Sequence, residues 1–313
     1  MVFLLIAAGL LLLYFGAEWL VKGAAAAAVR LGVTPLAIGL TVVAFGTSAP
    51  ELTVSTHAAL KGLGDIAAAN VVGSNIFNIA FILGLAAAIR PIRVTRQLIR
   101  WDVPVMIAVS VLCLVLLLDR HLTRTEGLLL SAGITAYTIW TFRQAKREPD
   151  LALGLAEVSK QSGALTGLWV PAALVVLGLA LLVLGSKLLV AGALQLARRY
   201  GISEAVIGLT IVSAGTSLPE LATSVVAAVR RQADISIGNI VGSNIFNLLG
   251  ILGISSLVRP YSAPELTFWD LAMMLGTALL LLPLLRSGFV LSRKEGLFFL
   301  VLYGAYLWHL RPQ

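Results

Sequence analysis

A long segment of this chain occurs twice, and the repeat limits the fold more than any other feature of the sequence. Residues 39–79 read GLTVVAFGTSAPELTVSTHAALKGLGDIAAANVVGSNIFNI, and residues 208–248 read GLTIVSAGTSLPELATSVVAAVRRQADISIGNIVGSNIFNL. The segments align without a gap at a constant offset of 169 residues, and 23 of the 41 aligned positions are identical. The chain is therefore expected to fold as two halves with the same internal plan.

The composition indicates that both halves lie in a membrane. Of the 313 residues, 59% are hydrophobic and 12% are charged, whereas soluble domains carry about 25% charged residues. A helix needs about 20 apolar residues to cross the hydrocarbon layer. Ten stretches meet this requirement: 2–21, 35–60, 65–89, 101–118, 123–142, 167–197, 203–229, 234–258, 264–285 and 291–309.

The basic residues set the expected orientation of these spans. The net charge of +8 comes from Lys and Arg in short clusters between apolar runs, which is typical of cationic span ends and not of a nucleic-acid-binding face. With the amino terminus outside, 15 of the 23 Lys and Arg residues fall on the inner side. We therefore expect both termini outside a plasma membrane, membrane lipid as a partner, and no nucleic acid. The first apolar run is expected to be a retained span.

The position of the repeat predicts opposite orientations for its two copies. The copies begin five predicted spans apart, and an odd number of crossings reverses the direction of the chain. The predicted fold class is an all-α membrane protein with ten transmembrane helices in two inverted five-helix repeats. We expect the repeats at 1–142 and 164–313, joined by a cytoplasmic linker at 143–163 and integrated into one membrane domain. Inverted repeats of this kind are typical of secondary transporters, with the substrate site at the repeat interface.

Each copy carries a glutamate well inside an apolar span. The motif G-T-S-x-P-E-L ends with Glu51-Leu52 in the first copy and Glu220-Leu221 in the second. A charged side chain in the middle of a membrane is costly and usually has a functional role. Two facing carboxylates repel each other unless they are protonated or share a cation. Oxygen ligands suit hard cations such as calcium and sodium.

The prolines of the same motif predict a break in each span. Pro50 and Pro219 lack an amide hydrogen and clash with the carbonyl four residues earlier. Those carbonyls belong to Gly46 and Gly215, and the freed oxygens are expected to be cation ligands. Loose backbone in a membrane is tolerated where it lines a cavity.

The two motifs, G-T-S-x-P-E-L and G-S-N-I-F-N, resemble the alpha repeats of the calcium/cation antiporter superfamily, in its sodium/calcium exchanger branch. The resemblance implies a calcium site made by Glu51 and Glu220 with the carbonyls of Thr47 and Thr216. It implies sodium or shared ligands at Ala44, Ser48, Ser74, Asn78, Ser213, Ser217, Ser243 and Asn247. Some microbial members of the family have aspartate where this chain has Asn247, which bears on the charge of the site.

The function implied by the resemblance is antiport of Ca²⁺ against Na⁺ by alternating access, with no cofactor. Proton/calcium exchange, potassium-dependent exchange and a passive cation channel remain open as alternatives. An intramembrane enzyme is disfavoured, because the chain has three histidines and neither an H-E-x-x-H nor a G-x-S-x-G motif. The sequence leaves the oligomeric state open.

Overall fold

The computed structural model describes residues 2–147, 169–200 and 213–310. These residues form an almost entirely helical protein. Its helices are α1 (Val2–Leu31), α2 (Pro35–Thr47), α3 (Ala49–Leu60), α4 (Gly64–Ile89), α5 (Leu98–Leu116), α6 (Arg124–Ala145), α7 (Val170–Arg199), α8 (Ser213–Thr216), α9 (Leu218–Val229), α10 (Ala233–Val258), α11 (Phe268–Arg286) and α12 (Arg293–His309). Four two-residue strands are β1 (Ile92–Arg93), β2 (His121–Leu122), β3 (Tyr261–Ser262) and β4 (Val290–Leu291).

Local signals in the sequence set several helix ends. The hydroxyl of Thr34 accepts from the backbone N–H of Ala37, and Pro35 occupies the first position of α2, where its missing amide hydrogen costs nothing. Thr267 before α11 and Ser292 before α12 each begin a capping box, which satisfies the unpaired amides of a helix start.

Six of the helices in the described ranges are long and apolar enough to cross a membrane. They are α1, α4, α5, α7, α10 and α11. The pair α2 and α3 also qualifies if it is counted as one bent span, which makes seven. The chain is therefore an all-helical membrane protein, as expected, and the predicted count of ten spans remains a prediction. The amino-terminal part of predicted span 203–229 lies outside the described residues.

The predicted break at the first proline motif is confirmed. Helix α2 ends at Thr47 and α3 begins at Ala49, with a bend of 48° between them. Ser48 between them has φ −83° and ψ 7°, which is outside the helical region. In the second copy, Ser217 between α8 and α9 has nearly the same backbone angles, φ −90° and ψ 9°. The two copies therefore share one local backbone conformation.

The chain divides into two compact units, and each contains segments of both repeats. The first unit comprises Met1–Pro50 and Phe142–Asn239, and the second comprises Glu51–Thr141 and Ile240–Gln313. Most of the predicted linker 143–163 lies outside the described residues. The proposed division into 1–142 and 164–313 follows the repeat, whereas the compact units combine corresponding parts of its two copies.

In the first unit, α1 and α7 pack backbone against backbone. A Cβ added at Gly16 would lie 2.8 Å from the backbone nitrogen of Leu182. A Cβ added at Gly185, the equivalent position in the second repeat, would lie 2.8 Å from the backbone nitrogen of Leu13. Glycine is required at both places because no side-chain carbon fits at such distances. Small residues let membrane helices approach closely in this way.

In the second unit, the short strands join the two repeats symmetrically. Strand β1 pairs antiparallel with β4, and β2 pairs antiparallel with β3. Ile92 and Tyr261 are separated by the repeat offset of 169, and so are His121 and Val290. Strands β1 and β3 are therefore equivalent in the two repeats, and so are β2 and β4. The pairing of β1 with β4 is thus equivalent to the pairing of β3 with β2.

Candidate ion-binding site

The structure places the G-T-S-x-P-E-L motifs at the two helix breaks and the G-S-N-I-F-N motifs on α4 and α10. Both G-S-N-I-F-N motifs run into a wider, π-helical turn, Phe77–Leu83 in the first copy and Phe246–Ile251 in the second. Such turns change the direction in which side chains project and are frequent at functional sites. The repeated sequence thus produces the same irregular backbone twice.

In the first unit, the carboxylate of Glu220 is held by the helix break of the other repeat. Glu220 is completely buried, and its Oε1 accepts a hydrogen bond of 2.8 Å from the hydroxyl of Ser48. Its second oxygen, Oε2, is buried and has no hydrogen-bond partner among the described residues. A buried carboxylate oxygen without a donor is costly, and a cation would offset that cost.

Asn239 on α10 connects the two repeats beside this carboxylate. Its Oδ1 accepts from the hydroxyl of Thr47 at 3.0 Å. Its Nδ2 donates to the backbone carbonyl of Glu220 at 3.4 Å and to the hydroxyl of Ser224 at 2.9 Å. One fully buried amide therefore fixes both a motif threonine and the backbone of the motif glutamate.

In the second unit, Asn70 makes the equivalent bonds to the other motif glutamate. Asn70 precedes Asn239 by the repeat offset, and its Nδ2 donates to the backbone carbonyl of Glu51 at 3.3 Å and to the hydroxyl of Ser55 at 2.9 Å. Glu51 is 1% exposed. Each motif glutamate is thus anchored through its carbonyl by an asparagine of the following helix.

Four asparagines of the G-S-N-I-F-N motifs form a symmetric cluster in the second unit. Asn75 and Asn244 each donate from Nδ2 to the backbone carbonyl of the other, at 3.3 Å in both directions. Asn78 donates from Nδ2 to Oδ1 of Asn244 at 3.0 Å, and Asn247 donates from Nδ2 to Oδ1 of Asn75 at 2.9 Å. We call these four residues the amide cluster.

Two amide oxygens of the amide cluster are buried and suited to bind a cation. The side chains of Asn78 and Asn247 are 1% exposed. Their Oδ1 atoms have no hydrogen-bond partner within residues 2–147, 169–200 and 213–310. Neutral amide oxygens are good ligands for hard cations, so these atoms suit the role that the resemblance implies for them.

The structure shows a hydrogen-bond partner for one of the freed carbonyls. The carbonyl of Gly215, four residues before Pro219, accepts a hydrogen bond of 2.6 Å from the hydroxyl of Ser186 on α7. The oxygen that Pro219 leaves without a helical partner therefore anchors a neighbouring helix. The residue equivalent to Ser186 in the first repeat is Ala17, which has no hydroxyl, so the two copies differ at this contact.

The other residues implied by the resemblance lie close to these groups in the chain. Ala44 is buried, and its carbonyl accepts from the hydroxyl of Thr47 at 3.3 Å. Ser74, Ser217 and Ser243 are buried. Thr216 is half-buried at the end of α8. Ser213 begins α8, and the position of its side chain lies outside the described structure.

The sequence interpretation missed the four asparagines that orient the motif residues. These are Asn70, Asn75, Asn239 and Asn244. A signal for them existed, because both pairs are identical across the repeat at the offset of 169. An amide that is kept in both copies of an apolar helix indicates a role, and here that role is to hold its neighbours.

Comparisons with known proteins agree with this architecture. A model of the family described as "Sodium/calcium exchanger protein" matches residues 1–143 and 170–311. The chain is 39% identical to CaxA of Alkalimonas amylolytica, over 95% of each chain. It is 32% identical to the sodium/calcium exchanger MaX1 of Methanosarcina acetivorans, over 97% of each chain. A solved structure of the sodium-calcium exchanger NCX_Mj superimposes with a TM-score of 0.83 at 32% identity, covering 98% of both chains.

The fold and the repeated polar motifs define a transporter of inorganic cations, and not an enzyme. The chain belongs to the sodium/calcium exchanger family. It is therefore a multi-pass membrane protein and a cation antiporter that exchanges Ca²⁺.

Proposed function

We propose that the protein exchanges Ca²⁺ for Na⁺ by alternating access, with ten spans in two inverted repeats and both termini outside the plasma membrane. Ca²⁺ binds to Glu51, Glu220 and the carbonyls of Thr47 and Thr216. Na⁺ uses the same region of the protein, through the remaining oxygen ligands. These are Ala44, Ser48, Ser74, Asn78, Ser213, Ser217, Ser243 and Asn247.

The observation that carries this proposal is the bonding of Glu220. Its carboxylate is fully buried, one oxygen accepts from Ser48, and the other has no hydrogen-bond partner in the described part of the chain. A single hydroxyl compensates little of the cost of burying a negative charge, which amounts to several kcal/mol. A bound cation supplies the remaining stabilisation, and hydroxyl and carboxylate oxygens are the ligands that Ca²⁺ and Na⁺ prefer.

Charge balance explains why transport is coupled. With two ionised glutamates and neutral asparagines at positions 78 and 247, the proposed ligand set carries two negative charges. One Ca²⁺ makes it neutral and several Na⁺ ions make it neutral or positive, whereas an empty set leaves bare carboxylates in a low-dielectric interior. The loaded protein therefore changes its access more readily than the empty protein, and this difference produces exchange and suppresses leak.

The packing of α1 against α7 suggests which part of the first unit moves. Close glycine contacts at Gly9, Gly16 and Gly23 of α1 join the two helices along their length, so we propose that they move as one body. Two contacts must then change with access. The carboxylate of Glu18 on α1 accepts from Nε of Arg230 at 2.8 Å, and Ser186 on α7 donates to the carbonyl of Gly215. Both contacts attach this helix pair to the region around α9.

The decisive experiment is Ca²⁺ uptake into proteoliposomes loaded with Na⁺ and diluted into Na⁺-free buffer. We expect rapid uptake that stops when a sodium ionophore removes the gradient. Parallel samples carry a K⁺ gradient, a pH gradient or no gradient, because the sequence leaves these couplings open. Equal uptake without a Na⁺ gradient would contradict sodium coupling. Uptake that grows linearly with Ca²⁺ and needs no counter-ion would indicate a channel.

A further inference from the structure

We propose that Asn75 and Asn244 are positioning residues that orient the amides of Asn247 and Asn78, so that both of these present oxygen to the transported cation. The inference deepens the proposed function and depends on it for the assignment of Asn78 and Asn247 as ligands. Neither Asn75 nor Asn244 is itself assigned to the ion. Their role is to decide which end of a neighbouring amide faces it.

The orientation of every amide in the amide cluster follows from two backbone carbonyls. A carbonyl oxygen only accepts hydrogen bonds, so the side-chain atom that faces it must be the amide nitrogen. Asn75 and Asn244 each place Nδ2 against the backbone carbonyl of the other. Their Oδ1 atoms are therefore fixed on the opposite side. The usual ambiguity between the two ends of an asparagine amide does not arise here.

The fixed oxygens then orient the second pair of amides. Because Oδ1 of Asn244 can only accept, Asn78 must turn its Nδ2 towards it, and the observed distance is 3.0 Å. The same reasoning applies to Asn247 and Oδ1 of Asn75, at 2.9 Å. In both cases the oxygen of the outer asparagine is left on the other side of the amide. The relation is crossed, since each repeat orients the ligand of the other.

The two remaining oxygens argue against a purely adhesive role for the cluster. The Oδ1 atoms of Asn78 and Asn247 are buried and lack a hydrogen-bond partner among the described residues. A buried carbonyl oxygen without a hydrogen bond destabilises the folded protein. A cluster that only held two helices together would not need these oxygens to remain unbonded. An amide that turned its NH₂ group to the site instead would repel a cation.

The test is a double-mutant cycle on the Na⁺ concentration that gives half-maximal exchange, with the maximal rate and the thermal midpoint measured alongside. We expect Asn78→Ala and Asn244→Ala each to raise the half-saturating Na⁺ concentration about fivefold, which corresponds to a lost ligand of modest strength. In the double variant of Asn78 and Asn244, Asn244→Ala should raise the half-saturating Na⁺ concentration by less than about a further twofold. The reason is that the amide of Asn78, which Asn244 orients, is already gone. A general structural defect would instead lower the maximal rate and the thermal midpoint.

The crossed geometry supplies a matched control. Asn244→Ala combined with Asn247→Ala should multiply the two effects, since Asn244 does not orient Asn247. The mirror cycle of Asn75 with Asn247 gives an independent test if Asn244→Ala does not fold. Multiplicative effects in both hydrogen-bonded pairs, Asn78 with Asn244 and Asn75 with Asn247, would overturn the inference while leaving sodium coupling intact. A wild-type protein without sodium coupling would contradict the proposed function, and the cycles would then be scored on the ion that drives uptake.

Discussion

The two compact units hold polar groups of the same motifs in different ways. In the first unit, hydroxyls of one repeat donate to a carboxylate and to an amide of the other, Ser48 to Glu220 and Thr47 to Asn239. In the second unit, four neutral amides form the symmetric amide cluster. The two oxygens of a carboxylate are equivalent, so either can face the ion, and hydroxyl donors suffice to hold the group. An amide has one oxygen end and one nitrogen end, so its orientation must be fixed by the groups that it bonds.

The largest expected effect is from removing the charge in the first unit. Glu220→Gln should reduce Ca²⁺ exchange at least about a hundredfold, because breaking a buried charge interaction costs about 3–5 kcal/mol. The measurement is Na⁺-driven Ca²⁺ uptake in proteoliposomes with equal amounts of inserted protein.

The matched control is Glu265→Gln, since Glu265 is an exposed glutamate of the same chain. It should exchange at the wild-type rate. If Glu220→Gln exchanged as fast as Glu265→Gln, the carboxylate in the first unit would not be a ligand.

An intermediate effect is expected from the anchoring asparagines, and the repeat allows them to be compared directly. Asn239→Ala removes bonds to Thr47, Glu220 and Ser224, whereas Asn70→Ala removes bonds to Glu51 and Ser55. Asn239 makes one more of these bonds than Asn70, and one net hydrogen bond is worth about 1 kcal/mol. We therefore expect the loss of Ca²⁺ affinity to be about fivefold larger for Asn239→Ala than for Asn70→Ala.

Equilibrium ⁴⁵Ca²⁺ binding to the two purified variants shows which substitution lowers the Ca²⁺ affinity more. Asn70→Ala serves as the control for the loss of one asparagine from a motif-bearing helix. A larger loss for Asn70→Ala than for Asn239→Ala would show that the bond to Thr47 contributes nothing to the ion site.

The smallest effect is expected where the two repeats differ. Ser186→Ala removes the donor to the carbonyl of Gly215, at the position where the first repeat already has alanine, Ala17. Hydrogen bonds between membrane helices contribute about 0.6 kcal/mol on average, so thermal unfolding in detergent should shift only slightly.

The exchange rate of Ser186→Ala sharpens the mechanism. If this bond must break when α7 moves, the variant should exchange as fast as the wild type or faster at saturating Ca²⁺. A loss of Ca²⁺ affinity larger than that of Asn239→Ala would instead place the carbonyl of Gly215 among the groups that hold the ion.

Much of this arrangement could be predicted from the sequence because the repeat carries it. The duplicated Pro-Glu motif predicted the helix break, and the break lies at Ser48, whose backbone angles are not helical. The all-helical membrane class followed from the apolar runs. In each case, a property of single residues or short segments was sufficient.

The bonds between distant residues could not be predicted in the same way. Nothing local to Asn239 indicates that it accepts from Thr47, which is 192 positions away. The partner of the Gly215 carbonyl was missed because Ser186 lacks a hydroxyl counterpart in the first repeat, so the repeat gave no signal. Pairings that depend on how helices pack require the structure, whereas the candidates for pairing are visible in the sequence.

Calorimetric titration of the purified protein with Ca²⁺, in Na⁺-free buffer and at increasing Na⁺, tests the central claim most directly. The account predicts one Ca²⁺ bound per chain, an apparent affinity that weakens steadily as Na⁺ rises, and no comparable binding in Glu220→Gln. Ca²⁺ binding that is unchanged by Na⁺, or that persists at full affinity in Glu220→Gln, would contradict it.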